Sequence, residues 1–210
     1  MTPIIEFLVF GFIAYLLGSI PTAVWIGRMK YGLDIREHGS KNAGATNTFR
    51  VLGKNAGILV LTIDIMKGAF AVLLPFLFGM GEWGTKELVH TQLIAGILAV
   101  VGHVIPIFAK FKGGKGVATS LGVIVGIHPA AAGICLLIFL VVFIISKYVS
   151  LGAISAALAF PLILNLVFGV TTLWLTVFSF LLSAAVIFVH RKNIKRLLKN
   201  EENKMNLFKK

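Results

Sequence analysis

The stretch G-V-A-T-S-L-G-V-I-V-G-I-H-P-A-A-A-G-I-C-L-L-I-F-L-V-V-F-I-I-S, Gly116 to Ser146, decides the fold. Read as one kinked helix it crosses a membrane once, since a proline is tolerated in a span when its neighbours satisfy the freed backbone groups. Read as two helices, Val117 to Ile127 and Ala130 to Ser146, parted at His128-Pro129, it crosses twice. That a membrane is the solvent follows from composition. Of 210 residues 58% are hydrophobic and 13% charged, too few charges to cover a soluble domain of this size. A span needs about 20 mostly apolar residues to cross roughly 30 Å of hydrocarbon. Outward from the deciding stretch, further spans are expected at Ile4 to Gly27, Asn55 to Gly79 and Leu88 to Phe108 before it. Two more follow it, Leu151 to Phe168 and Thr171 to Val189.

Charge placement chooses between the two readings. With two helices there are seven spans. One side then collects the cations of the Arg28 to Lys54 segment, Lys110, Lys112, Lys115, Lys147 and the tail from Arg191 to Lys210. The other side keeps Lys86 beside Glu82 and Glu87. With one helix, Lys147 and the basic tail would fall on the wrong face. Lys and Arg accumulate in cytoplasmic loops, so seven spans are expected, with the N-terminus extracytoplasmic and the C-terminus cytoplasmic. The fold class is an all-α integral membrane protein, a seven-transmembrane-helix bundle forming one membrane-embedded domain over residues 1–210. Met1 to Glu6 lacks a basic n-region, so the first apolar run reads as a span and not as a cleaved signal. The net charge of +12 would suggest nucleic acid in a soluble chain; here cytoplasmic loops and anionic lipid headgroups account for it, and no nucleic-acid partner is expected. The one cysteine, Cys135, lies in an apolar run and reads as a packing residue. A prokaryotic inner membrane fits this pattern.

The sizeable polar segments all fall on the cytoplasmic side, at 28–54, 110–120 and 190–204. In the first, Ser40, Asn42, Thr46, Asn47 and Thr48 offer neutral donors and acceptors and Arg50 a planar cationic fork, among small residues that permit close backbone approach. The set suits a phosphorylated ligand; an ordinary polar loop of turn and cap residues is the alternative. In the second, F-K-G-G-K-G-V-A-T-S at Phe111 to Ser120, Gly113, Gly114 and Gly116 surround Lys115 directly before a helical run. Lys112 and Thr119 flank the glycines. Exposed N–H groups, a helix N-terminus and a lysine make an anion cradle. It is no Walker loop, because no glycine stands five residues before the Gly114-Lys115 pair and Gly116 follows the lysine. A flexible positive loop is the alternative. In the third, His190, Asn193 and Arg196 are three apart and would share a face if the last helix continues, with Glu202 and Lys204 beyond. A basic tail on anionic lipid is the other reading, preferred for Lys209 and Lys210.

Asp64 and Lys67 lie inside the second span, where a charge near the bilayer centre costs on the order of 3 kcal/mol or more. At i, i+3 they read as a structural ion pair, with a direct ligand role second. His38, His103 and His190 fall at the inner face. A metal site from them lacks a supporting carboxylate or thiolate cluster, so no metal is expected, and a general base is the better use. His103 reads equally well as a buried hydrogen-bonded histidine.

Together these segments resemble the bacterial acyl-phosphate:glycerol-3-phosphate acyltransferase family, PlsY. The resemblance runs through G-S-I-P at Gly18 to Pro21, the Ser40 to Arg50 segment, L-G-K-N-A-G at Leu52 to Gly57 and D-I-M-K-G at Asp64 to Gly68. It continues through Gly102 to Ser120 and ends in H-R-K-N-I-K-R-L at His190 to Leu197. The chain departs at Lys192 and Asn200, where the family usually has Glu and Gly. The resemblance implies transfer of a fatty acyl group from acyl phosphate to the 1-hydroxyl of sn-glycerol 3-phosphate, giving lysophosphatidate and phosphate, the first acylation of phospholipid synthesis, without a cofactor. It also implies a seven-helix bundle, in agreement with the charge count. The expected partners are acyl phosphate, glycerol 3-phosphate and membrane lipids. Ser40, Asn42, Arg50, Lys115, His190 and Asn193 are the expected catalytic set. Thr46, Asn47, Lys112, Gly113, Gly114, Gly116, Thr119, His103 and Arg196 are expected to bind phosphate or acceptor. No H-x-x-x-x-D pair follows His38, His103 or His190, and no serine has a clear His-Asp relay. Direct attack by the acceptor hydroxyl is therefore expected, its proton passing to a substrate phosphate; His103 or His190 as base is the competing idea. A transporter of an organic phosphate is the rival from another class. It is weakened by having little but Asp64 and Lys67 at the midplane.

Overall fold

Helix α1 (Pro3–Ser19) ends where Pro21 removes a backbone N–H, and α2 (Thr22–Tyr31) resumes after a bend of 42°. The expected first span is thus a broken one. The computed structural model describes residues 3–205; Lys209 and Lys210 lie outside the described residues. Gly32, left-handed at φ 65°, closes α2 by donating its N–H to the Gly27 carbonyl. A 3₁₀ turn (Ile35–Glu37) and helix α3 (Ala45–Leu52) then occupy what the sequence suggested was a polar loop. Thr and Asn are modest helix formers and eight residues are few, so propensity hides α3. Its frame is set by Gly44 in extended conformation before it and Gly53, φ 88°, after it.

Helix α4 (Lys54–Leu77) follows, then α5 (Lys86–Val104), a second 3₁₀ turn (Ile107–Ala109) and α6 (Val117–Ile127). Beyond α6 come α7 (Pro129–Ser146), α8 (Val149–Leu162) running into a π-helical segment (Ile163–Val167), α9 (Leu173–Val189) and α10 (Arg191–Leu198). Within the described residues all regular structure is helical. The deciding stretch is divided. His128 leaves helical geometry at φ −146°, and its Nδ1 accepts from the Ala131 N–H at the start of α7. Among the described residues four helices are long and apolar enough to cross a membrane, or up to six if each bent pair counts as one span. Helix α6, with 11 residues, reaches only ~17 Å.

The chain divides into two compact units, one up to Ile127 and one from His128. In the first, helices approach at glycines. Gly122 of α6 sits on the Ile65 carbonyl of α4, Gly68 of α4 sits on the Thr119 backbone, and Gly18 of α1 sits on the Ala99 carbonyl of α5. A side chain at any of these would meet backbone, which is how helices associate in lipid without a hydrophobic drive. A small-residue core of Phe10, Ala14, Ala71, Ala95 and Ala99 joins α1, α4 and α5, and a second core of Ala23, Val24, Ile35, Ala43 and Val60 seats the polar segment beside α3.

In the second unit α7 packs on α8 and α8 on α9. Pro161 inside α8 cannot continue the ladder, and the Asn165 amide donates to its carbonyl at 2.7 Å, with Thr176 of α9 donating to Asn165 at 2.8 Å. Large apolar side chains such as Ile145 and Leu166, each 79% exposed, lie on helix faces that only lipid can cover.

Candidate active site

Five helices and their ends build a polar centre in the first unit. On α4, Lys67 Nζ lies 2.9 Å from Asp64 Oδ1, both buried, so the i, i+3 pair read from the sequence forms. Neither group stands alone. Lys67 also donates to the Ile20 carbonyl at 3.0 Å, at the break between α1 and α2, and Thr22 at the start of α2 donates its hydroxyl to Asp64 at 3.1 Å. His103, in the last turn of α5, places Nδ1 3.8 Å from Asp64 Oδ1 and 3.1 Å from the hydroxyl of Thr119, a fully buried residue of α6. A small cavity touches Thr22, Asp64, Lys67, His103, Gly113 and Gly114, and reaches Ala43 of the first polar segment.

The glycine loop roofs this centre. Gly113 donates its N–H to the Val104 carbonyl and Gly114 to the His103 carbonyl, each at 3.2 Å. These two N–H groups are thus spent on the end of α5 and are not aimed at an anion. The glycines are needed for approach: a Cβ on Gly113 would meet the His103 carbonyl oxygen and lie 2.6 Å from Pro106 Cδ, and one on Gly114 would meet His103 Nε2. The donors that suit an anion are those of the first turn of α6, Val117 to Thr119, which helix geometry leaves without an intrahelical carbonyl. Gly116, φ 76°, makes the turn into that helix, with Lys115 half-buried before it and Lys112 exposed.

The first polar segment is braced against the second. Asp34 caps the 3₁₀ turn by accepting the Arg36 N–H, and its carboxylate is held by Arg36 at 2.7 Å and Arg28 at 2.9 Å. The hydrogen bond from Arg36 holds the Asp34 carboxyl well below the usual carboxylate range, against the upward pull of its burial. Arg36 then reaches across to donate to the Ala109 carbonyl at 2.8 Å, tying the segment to the turn before the glycine loop. Asn47, on α3 and 1% exposed, spends its amide on the same segment: it donates to the Ile35 and His38 carbonyls and accepts the Ser40 N–H at 2.8 Å. It shapes the segment that carries Ser40 and Asn42. Ser40 is exposed and Asn42 half-buried, while Thr46 and Arg50 stand one turn apart on α3, both half-buried.

In the second unit the last helix does not continue through His190. It bends by 60° there, and the His190 N–H bonds back to Val186 and Ile187. His190 is buried, and its Nδ1 lies 2.7 Å from the Val186 carbonyl. A carbonyl only accepts, so Nδ1 carries the hydrogen and the lone pair of a neutral ring is on Nε2. The chain after α10 returns to the α7–α8 turn, where Met205 donates to the Lys147 carbonyl at 2.9 Å. Glu202 gathers Asn193 at 2.8 Å, Ser150 at 3.0 Å and Arg196 at 2.6 Å. So Asn193 and Arg196 are joined as their spacing suggested, by an acceptor whose place the sequence did not reveal. Burial raises the Glu202 carboxyl, and the hydrogen bonds from Arg196, Asn193 and Ser150 outweigh it, leaving it below its ordinary value.

A carboxyl depressed in the folded state lends stability above its unfolded value, lost as pH falls through the folded one. Wild-type stability should therefore drop as pH falls below about 4.5, and Glu202→Ala should flatten part of that drop while costing about 1–3 kcal/mol at neutral pH, because the Asn193 and Ser150 donors lose their acceptor. Thermal unfolding in detergent at pH 7 and pH 4 reads both.

Sequence reasoning missed three groups: Arg36, Thr22 and Ser150. The signal for Arg36 was Asp34 two residues earlier, a cap residue before a short turn. Thr22 and Ser150 carried none, since their partners are distant in sequence.

Known proteins resemble this chain in sequence and fold. The family model described as glycerol-3-phosphate acyltransferase matches residues 8–200. The glycerol-3-phosphate acyltransferase of Chlorobaculum parvum is 42% identical, the match covering 96% of this chain and 97% of that one. The crystal structure of PlsY (YgiH), an integral membrane glycerol 3-phosphate acyltransferase, superposes in its glycerol 3-phosphate form with a TM-score of 0.84 at 37% identity, covering 97% of this chain and 99% of that one. Its lysophosphatidic acid form gives a TM-score of 0.80 at 36% identity, covering 96% of each chain. With the family model spanning nearly all of its length, this chain belongs to the glycerol-3-phosphate acyltransferase family.

Proposed function

We propose that this protein acylates the 1-hydroxyl of sn-glycerol 3-phosphate with acyl phosphate, releasing lysophosphatidate and inorganic phosphate at the cytoplasmic face of the cell membrane. The observation that carries the reading is that the first two polar segments meet, Arg36 donating to the Ala109 carbonyl and Ala43 sharing a small cavity with Gly113 and Gly114, in a chain of this family. Relatives of known structure described in glycerol 3-phosphate and lysophosphatidic acid forms support the acceptor and the product. The lopsided basic charge supports seven crossings, with the N-terminus outside and α6 as the short fourth.

In this mechanism the acceptor oxygen attacks the acyl carbon of the donor, the bond between that carbon and the bridging oxygen breaks, and phosphate leaves with the electron pair. The hydroxyl proton passes to a phosphate oxygen, so no side chain need carry an acyl group. The α6 N-terminus and Lys115 neutralise charge on phosphate. Arg50 clamps an anionic head, with Ser40, Asn42 and Thr46 as neutral partners. His190 and Asn193 are assigned to orienting the acceptor and Arg196 to its charge. His103 is a poor base in this scheme, its ring edges facing Thr119 and Asp64 on one side and Gly114 on the other.

Purified protein offered acyl phosphate, acyl-CoA and acyl carrier protein donors separately should release lysophosphatidate from acyl phosphate alone. Release from a thioester would overturn the donor assignment. No release from any donor would overturn acyl transfer itself.

A further inference from the structure

We propose that Asp64 and Lys67 are positioning residues that act through His103 to hold the glycine loop, and with it the first turn of α6, in the conformation that receives phosphate. The proposal rests on the acyl-transfer reading for the identity of the ligand, and on geometry for the rest.

A buried ion pair is a poor device for stability alone, since apolar residues of like volume often serve as well. In a membrane helix such a pair is retained where it does a further job. Here its partners mark that job. Lys67 holds the Ile20 carbonyl at the α1–α2 break, and Asp64 holds Thr22 at the start of α2. The same Asp64 oxygen lies 3.8 Å from His103 Nδ1, which meets the hydroxyl of Thr119 of α6 at 3.1 Å. His103 lies directly against the loop: its Nε2 edge lies where a Gly114 Cβ would be, and its own carbonyl accepts the Gly114 N–H at 3.2 Å. The ion pair, His103, Gly113 and Gly114 line one small cavity together. A shift of His103 therefore moves the loop, and the loop leads through Gly116 into α6.

The test separates positioning from mere stability. The double variant Asp64→Asn/Lys67→Met removes both charges together and leaves no unpaired one. It should unfold near the wild-type temperature, yet exchange the amide hydrogens of Gly113 and Gly114 about tenfold or more faster, read on nitrogen-15-labelled glycine without substrate. Its KM for glycerol 3-phosphate should rise about tenfold, with kcat within about threefold of wild type. Should the double variant not fold, Thr119→Val removes the hydroxyl on His103 without touching a charge, and the same rise in Gly113 and Gly114 exchange is expected. Wild-type exchange at both glycines, in whichever of these variants folds, overturns the proposal. Because the exchange measurement needs no turnover, failure of the acyl-transfer reading would show separately, as wild-type protein that forms no lysophosphatidate.

Discussion

Gly113→Ala is expected to lower kcat/KM for glycerol 3-phosphate about 100-fold or more, and to lower the unfolding temperature as two loop hydrogen bonds are lost. The new methyl group would meet the His103 carbonyl oxygen and lie within 3 Å of Pro106 Cδ and the Val104 carbonyl, atoms of backbone and a rigid ring that do not yield. The loop itself must lift, breaking the hydrogen bonds to Val104 and His103 and shifting the start of α6, where phosphate binding is proposed. Displacements near 1 Å in a positioning element are enough for such losses. Gly114→Ala should be milder, because its methyl meets the His103 ring and not backbone, although it must push that ring off Thr119. Steady-state kinetics of both variants check the order. Equal, near-wild-type rates would show that the close packing of the loop is not needed for activity.

Lys67→Met alone is expected to cost about 3–5 kcal/mol of stability, since it leaves the Asp64 carboxylate buried with its ionic partner gone. Thr22 still donates to Asp64, but one neutral hydrogen bond does not replace an ammonium group beside a carboxylate this buried. Most of the loss should return in Asp64→Asn/Lys67→Met, where nothing charged remains to be solvated. Thermal unfolding of the single and double variants in the same detergent reads the coupling directly. A single variant as stable as wild type would mean that the carboxylate is already satisfied without Lys67.

How far the site was legible depends on where each partner lies in the chain. Asp64 and Lys67 are one helical turn apart, and their pairing could be read from spacing alone. Asn47 was read as a group for substrate, yet the structure spends its amide on Ile35, His38 and Ser40, backbone groups that reach it only once the 3₁₀ turn and α3 have folded together. The N–H groups of Gly113 and Gly114 were read as an anion cradle. They bond to carbonyls at the end of α5, and the same glycines matter instead for how closely they lie on His103. Continuation of the last helix through His190 was a reasonable inference from three-residue spacing, but the His190 N–H bonds back to two carbonyls at once and the axis bends by 60°.

The sequence by itself determined that the chain is helical, that its solvent is lipid, which segments are polar and which residue types in them suit phosphate. These follow from composition, periodicity and short-range spacing, which act within a turn or a span. Only the tertiary structure decided which polar groups serve a ligand and which serve the backbone. In an apolar medium a buried donor without an acceptor is costly. Whether the acceptor is a substrate or the end of another helix, as Ile20 is for Lys67 and Ala109 for Arg36, is settled when distant segments meet.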